Sequence, residues 1–198
     1  WFPLGGPPFG TRLRLHDGRR LLEVRWTFAN GVAVHVVPLD GLASAVARAP
    51  ERARALVFEC PTNPTLRVPD VPAVAAACRA RGIRSVLDAT FASPVNLRAL
   101  PMGVDLVVHS ATKFLNGHSD HLGGAVAGAR ALLDGVLAVR RSTGGNLDAG
   151  AAYDLLRGMK TLEVRVLRQN DTALRVARAL ERHPRVERVH YPFLPGHP

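Results

Sequence analysis

The chain has 198 residues, of which 47% are hydrophobic and 21% charged, as expected for one large or two small globular domains. No apolar run reaches the length of a membrane span and no signal peptide opens the chain, so we expect no membrane partner. The net charge of +10 suggests nucleic-acid binding, but the arginines are scattered and no aromatic-rich RNA motif accompanies them, so we expect no nucleic-acid partner.

The first part of the chain contains three predicted pieces. Residues 1–12 are rich in Pro and Gly, which is typical of a leader or linker. Residues 12–28 can be interpreted as a β-hairpin that turns at Asp17-Gly18 or as a broken helix, and the pattern does not decide between them. The next predicted elements are a strand over residues 32–37 and a short helix over residues 40–49.

Strands and helices alternate in the middle of the chain. The predicted strands are 54–59, 85–90, 104–109 and a further short one at 124–128. An alanine-rich helix over 71–81 is closed by Gly82. This alternation indicates βαβ units and a parallel sheet covered on both faces. The predicted C-terminal part is helical, with a last strand left open: helices 130–141 and 149–182, strand 185–190.

Polar residues follow three of these predicted strands. Asn63 comes after the first, and Asp88 and Thr90 come at the end of the second. Each strand–helix–strand repeat returns to the same edge of a parallel sheet, where ligands bind. We therefore expect Asn63 and Asp88 to converge with the polar turn after the third strand, which contains His109, Ser110, Thr112 and Lys113.

The chemistry of this group suits one cofactor. Lys113 is one of two lysines in a chain with 24 arginines, and lysine forms an imine with an aldehyde whereas arginine does not. A carboxylate beside a heterocyclic nitrogen keeps it protonated, and hydroxyls with turn N–H groups hold a phosphate. Pyridoxal phosphate (PLP) presents all three groups. Each residue alone also has a plainer interpretation: Lys113 as a surface lysine, Asp88 as a capping carboxylate, Asn63 as a turn-former.

Four segments stand out in chain order: F-E-C-P-T-N-P-T-L, V-L-D-A-T-F-A-S-P, V-D-L-V-V-H-S-A-T-K-F-L-N-G-H-S-D and L-L-R-G-M-K-T-L. They resemble successive blocks of the Cys/Met-metabolism family of PLP enzymes, which includes cystathionine synthases and lyases, methionine γ-lyase and O-acyl-homoserine sulfhydrylases. The resemblance implies an α/β fold, the three-layer αβα large domain of fold type I (aspartate aminotransferase-like) with a mainly parallel sheet, incomplete at both ends. Residues 13–190 would be the PLP-binding domain, and 191–198 a linker toward an absent C-terminal domain.

The resemblance also implies roles for individual residues. Lys113 would be the catalytic residue and form the internal aldimine, and Asp88 would pair with the pyridinium nitrogen. Ser110 and Thr112 would contact the phosphate, and Asn63 would lie near the phenolic oxygen. The implied cofactor-binding residues are Asp88, Ser110, Thr112, Asn63 and Thr90.

The chain departs from the family pattern at several positions. Ala89 stands where the family's D-N-T-F block has Asn, and Cys60 replaces a small hydroxyl residue. The block whose tyrosine stacks on the cofactor ring falls where this chain has Phe9. The upstream phosphate loop and the C-terminal domain with the carboxylate-binding arginine are also expected to be absent, so the chain is either part of a larger protein or compromised in activity.

Other candidate sites are weaker. His109, His118 and His121, with Asp120, suggest a metal site, but His118 and His121 are three residues apart in a glycine-rich turn with no Cys or Glu to complete a ligand set, so we expect no metal. Two cysteines give no disulfide framework, which favours the cytoplasm. Lys160 lies in a predicted helix and is assigned a structural or interface role.

The resulting hypothesis is a PLP-dependent C–S lyase that acts on a sulfur-containing amino acid, such as a cysteine conjugate or cystathionine. It would act by β-elimination through a Lys113 aldimine, and one variant of the hypothesis makes it a domain of a larger biosynthetic protein. One alternative is a γ-replacement synthase or sulfhydrylase of the same family. Another is a non-catalytic remnant that binds a partner. The resemblance also implies a homodimer or homotetramer, because the family's sites are shared between subunits.

Overall fold

The structure is a computed structural model that describes the backbone of residues 10–16, 19–27, 33–35 and 41–197, and the side chains of residues 41–197. Residues 1–9 of the predicted leader or linker, which include Phe9, therefore lie outside the described residues.

The N-terminal strands form a three-stranded antiparallel sheet. β1 (Gly10–His16) pairs with β2 (Arg19–Thr27), and β2 pairs with β3 (Ala33–His35). The last pair, His16 with Arg19, leaves only residues 17 and 18 between the strands. Of the two interpretations of residues 12–28, the hairpin is therefore confirmed and the broken helix is wrong.

A second sheet contains four strands in the order β4-β5-β6-β7. The first three are parallel, and β7 runs antiparallel to β6. The predicted α/β fold with a mainly parallel sheet is thus confirmed, with one antiparallel edge strand added to it. The strands are β4 (Ala55–Glu59), β5 (Arg84–Asp88), β6 (Leu106–Ser110) and β7 (Gly124–Gly128).

The described residues contain six α-helices in addition to this sheet. The helices are α1 (Leu42–Ala47), α2 (Val71–Ala80), α3 (Ser93–Asn96), α4 (Arg130–Thr143), α5 (Ala149–Met159) and α6 (Leu162–Glu181). The single helix predicted over 149–182 is divided into α5 and α6, because the chain leaves helical geometry at Thr161, whose φ is −109° and ψ 7°. None of the helices in the described ranges is long and apolar enough to cross a lipid bilayer.

The open prediction of a last strand at 185–190 is wrong. The described backbone there is irregular and pairs with none of the described strands. A strand needs a neighbour whose backbone groups complete its hydrogen bonds, and local alternation of residues does not supply one.

The main hydrophobic core lies between α2 and the parallel strands. α2 begins at the N-cap Asp70, which accepts a hydrogen bond from the Ala73 amide at 3.0 Å. Its apolar residues recur at helical spacing, and Cys78 is fully buried against the core that contains Leu87 of β5 and Val107 of β6. This packing fixes the carboxyl ends of β4, β5 and β6 at one edge of the sheet.

A second, smaller core supports the segment that follows β6. Here Ala111–Leu115 forms a π-helical turn, called below the Lys113 turn. Ala111 and Leu115 are buried against Leu162 and Val166 of α6. The segment that the sequence marks as chemically important is therefore packed on a long helix.

Candidate functional site

The carboxyl ends of three parallel strands meet at the edge where the predicted site residues lie. Backbone hydrogen bonds between neighbouring strands continue to the carboxyl ends of the strands. The Cys60 amide donates to the Asp88 carbonyl at 3.1 Å, and the Ala89 amide donates to the Val108 carbonyl at 3.0 Å. Asp88 ends β5 at this edge, and the segments that leave from the same edge after β4 and β6 contain Asn63 and Lys113. The predicted convergence on one edge is confirmed, while the roles of these residues stay predictions.

Direct hydrogen bonds join the ends of β5 and β6. Oδ1 of the half-buried Asp88 accepts from the Thr90 amide at 2.9 Å, and Oγ1 of Thr90 accepts from the Ser110 amide at 2.7 Å. Within the described residues, no group donates to Oδ2 of Asp88. The acid is thus oriented by its own turn and keeps one oxygen available for a ligand.

His109 lies close enough to Asp88 to interact with its charge. Burial lowers the pKa of His109, while the charge of Asp88 and a hydrogen bond with the Ala89 backbone oppose that effect without reversing it. Sequence spacing places His109 in the polar turn and among the weak metal candidates, but it does not show which side chains meet across strands.

Lys113 interrupts the π-helical turn that contains it. Its backbone, at φ −90° and ψ −120°, is not helical, whereas the residues on both sides are. The side chain is exposed, and among the described residues Nζ forms no hydrogen bond or ion pair. The amine is therefore accessible to a reactive ligand.

Gly123, just before β7, fixes the start of the Lys113 turn. The Gly123 carbonyl accepts from the Ala111 amide at 2.8 Å, and its amide donates to Oγ1 of Thr112 at 3.0 Å. The Thr112 hydroxyl approaches the Gly123 carbonyl only at 3.5 Å, so its proton remains available to a stronger acceptor.

Two residues that sequence reasoning missed fix the end of this turn. Arg165 of α6 donates to the carbonyls of Phe114 at 3.0 Å and Gly158 at 2.9 Å. Gly158 of α5 lies so close to the backbone of Asn116 that a Cβ at this position would overlap the Asn116 carbonyl oxygen. The only sequence signal was their location in and next to the R-G-M-K-T-L block.

Asn63 lies at the same edge but makes no direct contact with the Asp88 group in the described residues. Its side chain is exposed, and its amide donates to Oε2 of Glu59 at 3.2 Å. The proposed proximity of Asn63 to a cofactor oxygen therefore stays a prediction.

The two departures near the site are both buried. Cys60 is 3% exposed, and burial raises the pKa of its thiol to about 11, so it remains protonated at neutral pH. Ala89 is completely buried in the same core. Neither residue adds a reactive group at the edge of the sheet.

The histidines proposed as weak metal candidates have separate partners. Nδ1 of His118 bonds with the Asn116 carbonyl at 2.8 Å, whereas Nε2 of His121 bonds with Oδ2 of Asp154 at 2.7 Å. In the part of the chain that the structure describes, no three His, Cys, Asp or Glu side chains form a group suited to a metal ion.

The groups at this edge fit the chemistry of PLP. Lys113 offers a free amine for an aldehyde, and Asp88 offers a half-buried carboxylate with one unused oxygen for a ring nitrogen. Ser110, Thr112 and Thr90 offer hydroxyls for a phosphate.

Comparison with known proteins gives a consistent picture. The family described as "Cys/Met metabolism PLP-dependent enzyme" matches residues 16–198. The chain is 46% identical over 169 residues to cystathionine gamma-synthase 1, chloroplastic, of Arabidopsis thaliana, which covers 85% of this chain and 30% of that protein. It is 42% identical over 149 residues to cystathionine beta-lyase of Coxiella burnetii, covering 74% of this chain and 38% of the relative.

A solved structure supports the same relationship. The cystathionine gamma-lyase from Lactobacillus plantarum complexed with L-serine matches with a TM-score of 0.79 and 36% identity. The match covers 82% of this chain and 43% of that one. The chain thus spans less than half the length of the relatives described here.

Proposed function

Because this chain belongs to the family of Cys/Met-metabolism PLP-dependent enzymes, we propose that it binds PLP at the carboxyl edge of its parallel strands and acts on a C–S bond of a sulfur-containing amino acid. The observation that carries the proposal is the accessible, unpartnered amine of Lys113 at the same sheet edge as the half-buried carboxylate of Asp88. The family match supports the choice of cofactor.

When bound, PLP supplies an aldehyde that bonds to amines and a ring that takes up the electrons released at Cα. Lys113 would hold the aldehyde of the cofactor, and its free amine would take the proton from Cα of the substrate. Asp88 keeps a proton on the ring nitrogen, because a neighbouring carboxylate favours the cationic form. Ser110, Thr112 and Thr90 would bind the phosphate, and Asn63 would contact the phenolic oxygen.

Within this chemistry we favour β-elimination. A thiolate leaves Cβ of cystathionine or a cysteine conjugate, and water converts the remaining three-carbon unit into pyruvate and ammonia. The similarity to a cystathionine beta-lyase supports this choice. The second candidate is γ-replacement on an activated homoserine, which the similarity to a cystathionine gamma-synthase supports.

The two lysines of the chain make a matched test of the cofactor site. Purified protein is incubated with PLP, treated with borohydride and digested, and the peptides are analysed by mass spectrometry. We expect a stable pyridoxyl phosphate adduct on residue 113 in the wild type and in Lys160→Ala, and no adduct in Lys113→Ala. Lys160 is the control because it is exposed at the end of α5 and lies outside the proposed site.

An adduct that persists in Lys113→Ala, or that forms on Lys160, would refute the assignment. A wild-type protein that takes up no PLP in its native, full-length form would support the non-catalytic remnant instead.

Product analysis distinguishes the two reactions. Pyruvate released from cystathionine or a cysteine conjugate indicates β-elimination. Formation of cystathionine from cysteine and an activated homoserine indicates γ-replacement, and 2-oxobutyrate indicates elimination at Cγ.

A further inference from the structure

The loop of residues 116–123 joins the Lys113 turn to β7 and has its own attachment to α5. Nε2 of His121 bonds with Oδ2 of Asp154 at 2.7 Å, and the two side chains are 35% and 28% exposed. The other polar contacts within this loop are local: Asp120 accepts from the Asn116 side chain at 2.6 Å, and His118 bonds with the Asn116 carbonyl.

This attachment lies close to the bonds that hold the start of the Lys113 turn. His121 is two residues before Gly123, which bonds with the Ala111 and Thr112 amides and with the Thr112 hydroxyl. Arg165 and Gly158 hold the other end of the turn. Contacts thus hold both ends of the Lys113 turn, and the His121–Asp154 bond is a direct side-chain bond from the loop to α5.

Other charged groups lie near the bond between His121 and Asp154. Asp154 also lies 3.7 Å from Arg157, a weaker contact on the same helix. His121 interacts electrostatically with two further carboxylates, whose lowered pKa values have other main causes. The pKa of Asp120 is lowered first by its bond with Asn116, and that of Asp148 first by the Ala151 amide.

We propose that the hydrogen bond between His121 and Asp154 positions the Lys113 turn by holding the 116–123 loop on α5. His121 is a positioning residue: it acts on Lys113 through Gly123 and Thr112 and does not touch the reacting atoms. The inference rests on the proposed function only for its consequence, the presentation of the Lys113 amine to PLP. The local ordering of the turn is a separate, measurable property of the chain.

A double-mutant cycle with amide hydrogen exchange tests the inference in the cofactor-free protein. The variants are His121→Ala, Asp154→Ala and the double variant. We expect each single variant to speed exchange at residues 111–116 and 123 about tenfold, since the bond between the two side chains is lost in each. The double variant should be no faster than the single ones, and exchange in residues 74–87 of the main core should be unchanged.

Two further variants separate positioning from a general loss of stability. His121→Gln retains a side-chain N–H donor, and we expect it to restore slower exchange in part. Arg157→Gln removes the weaker partner of Asp154, and we expect it to leave exchange at the Lys113 turn as in the wild type.

Unchanged exchange at the turn in both single variants would overturn the inference, as would additive effects in the double variant. PLP adducts on Lys113 are measured in parallel. If exchange responds but the wild type takes up no PLP, the proposed function fails and the positioning role stands. If PLP binds to Lys113 but exchange at the turn does not change in the variants, the positioning role fails and the proposed function stands.

Discussion

At the scale of single residues, two aspartates at opposite ends of the parallel sheet illustrate different uses of the same side chain. Oδ2 of Asp105, next to the start of β6, accepts from both the amide and the hydroxyl of Ser85 at 2.9 Å, and its Oδ1 accepts from Arg84 at 3.2 Å. Asp88, at the carboxyl end of β5, accepts only from the Thr90 amide among the described donors. Both oxygens of Asp105 are occupied in holding strands together, whereas Asp88 keeps one for a ligand.

Asp105 should stabilise the fold in a pH-dependent way. Burial by itself raises its pKa, but the hydrogen bonds from Ser85 and the charge of Arg84 outweigh burial, and the pKa lies below its ordinary value of 3.8. A carboxyl with a lowered pKa in the folded state contributes stability above its unfolded pKa and loses it as the pH falls through its folded pKa. We expect Asp105→Asn to lower the free energy of unfolding by about 1–2 kcal/mol at pH 7.

Urea unfolding from pH 7 down to pH 3 checks this expectation. The difference between the wild type and Asp105→Asn should shrink below about pH 4, where the unfolded carboxyl begins to protonate. Asp171→Asn is the control, because the contacts of Asp171 with arginines are long and exposed. A difference that stays constant over the whole pH range would contradict the prediction.

At the scale of elements, the division between α5 and α6 serves the Lys113 turn. A single helix over 149–182 would satisfy the apolar spacing of the sequence. The break lets Arg165, in the first turn of α6, reach the Gly158 carbonyl of α5 and the Phe114 carbonyl together. The Arg165 guanidinium therefore joins α5 and α6 to the end of the turn. A guanidinium can do this because its several N–H donors point in different directions in one plane, whereas a lysine ammonium is a single compact group.

Two helical glycines should respond oppositely to the same substitution. Alanine in a helix is usually more stabilising than glycine by up to about 1 kcal/mol. At Gly135 of α4 a Cβ meets nothing within 4 Å, so we expect Gly135→Ala to stabilise by about that amount. At Gly158 a Cβ would overlap the Asn116 carbonyl and lie 2.9 Å from its carbon, so we expect Gly158→Ala to destabilise by about 1–3 kcal/mol.

Chemical denaturation of the two variants measures both effects. Formation of the PLP adduct should also be slower in Gly158→Ala, since Asn116 ends the turn that contains Lys113, and unchanged in Gly135→Ala. Equal stabilisation by both substitutions would show that α5 does not press on the turn as the structure indicates.

At the scale of the whole molecule, α5 and α6 expose apolar side chains in the part of the chain that the structure describes. Tyr153 and Leu156 on α5 are 67% and 64% exposed, and Val164 and Leu167 on α6 are 73% and 53% exposed. On each helix the two residues are three positions apart, so they share a face. Exposed apolar surfaces of this kind favour association, and we propose that the protein is a homodimer or homotetramer.

Sedimentation velocity tests the association. We expect the wild type to be larger than a monomer at micromolar concentration, and a Val164→Glu/Leu167→Glu variant to shift toward the monomer, because burying two carboxylates opposes association. Val68→Glu adds a charge at another exposed apolar residue, ahead of α2, and should not change the state. A monomeric wild type would contradict the proposal.

The sequence alone determined the local parts of this protein. Alternation and apolar spacing located β4, β5, β6, β7 and α2 within a few residues, because burial of one face imposes a period on the residues. Because ligands bind at the carboxyl ends of parallel strands, the order of the predicted strands is enough to place Asn63, Asp88 and Lys113 on one edge of the sheet.

Only the tertiary structure decided how these parts meet. The structure shows a hairpin instead of a helix at the N-terminal end, an antiparallel β7, and a helix divided at Thr161. Residues 185–190 pair with none of the described strands. The structure also brings Arg165, Gly158 and the His121–Asp154 pair to the Lys113 turn. A residue period encodes which face is buried but not which distant segment covers it, so contacts between residues far apart in the chain emerge only when the elements pack.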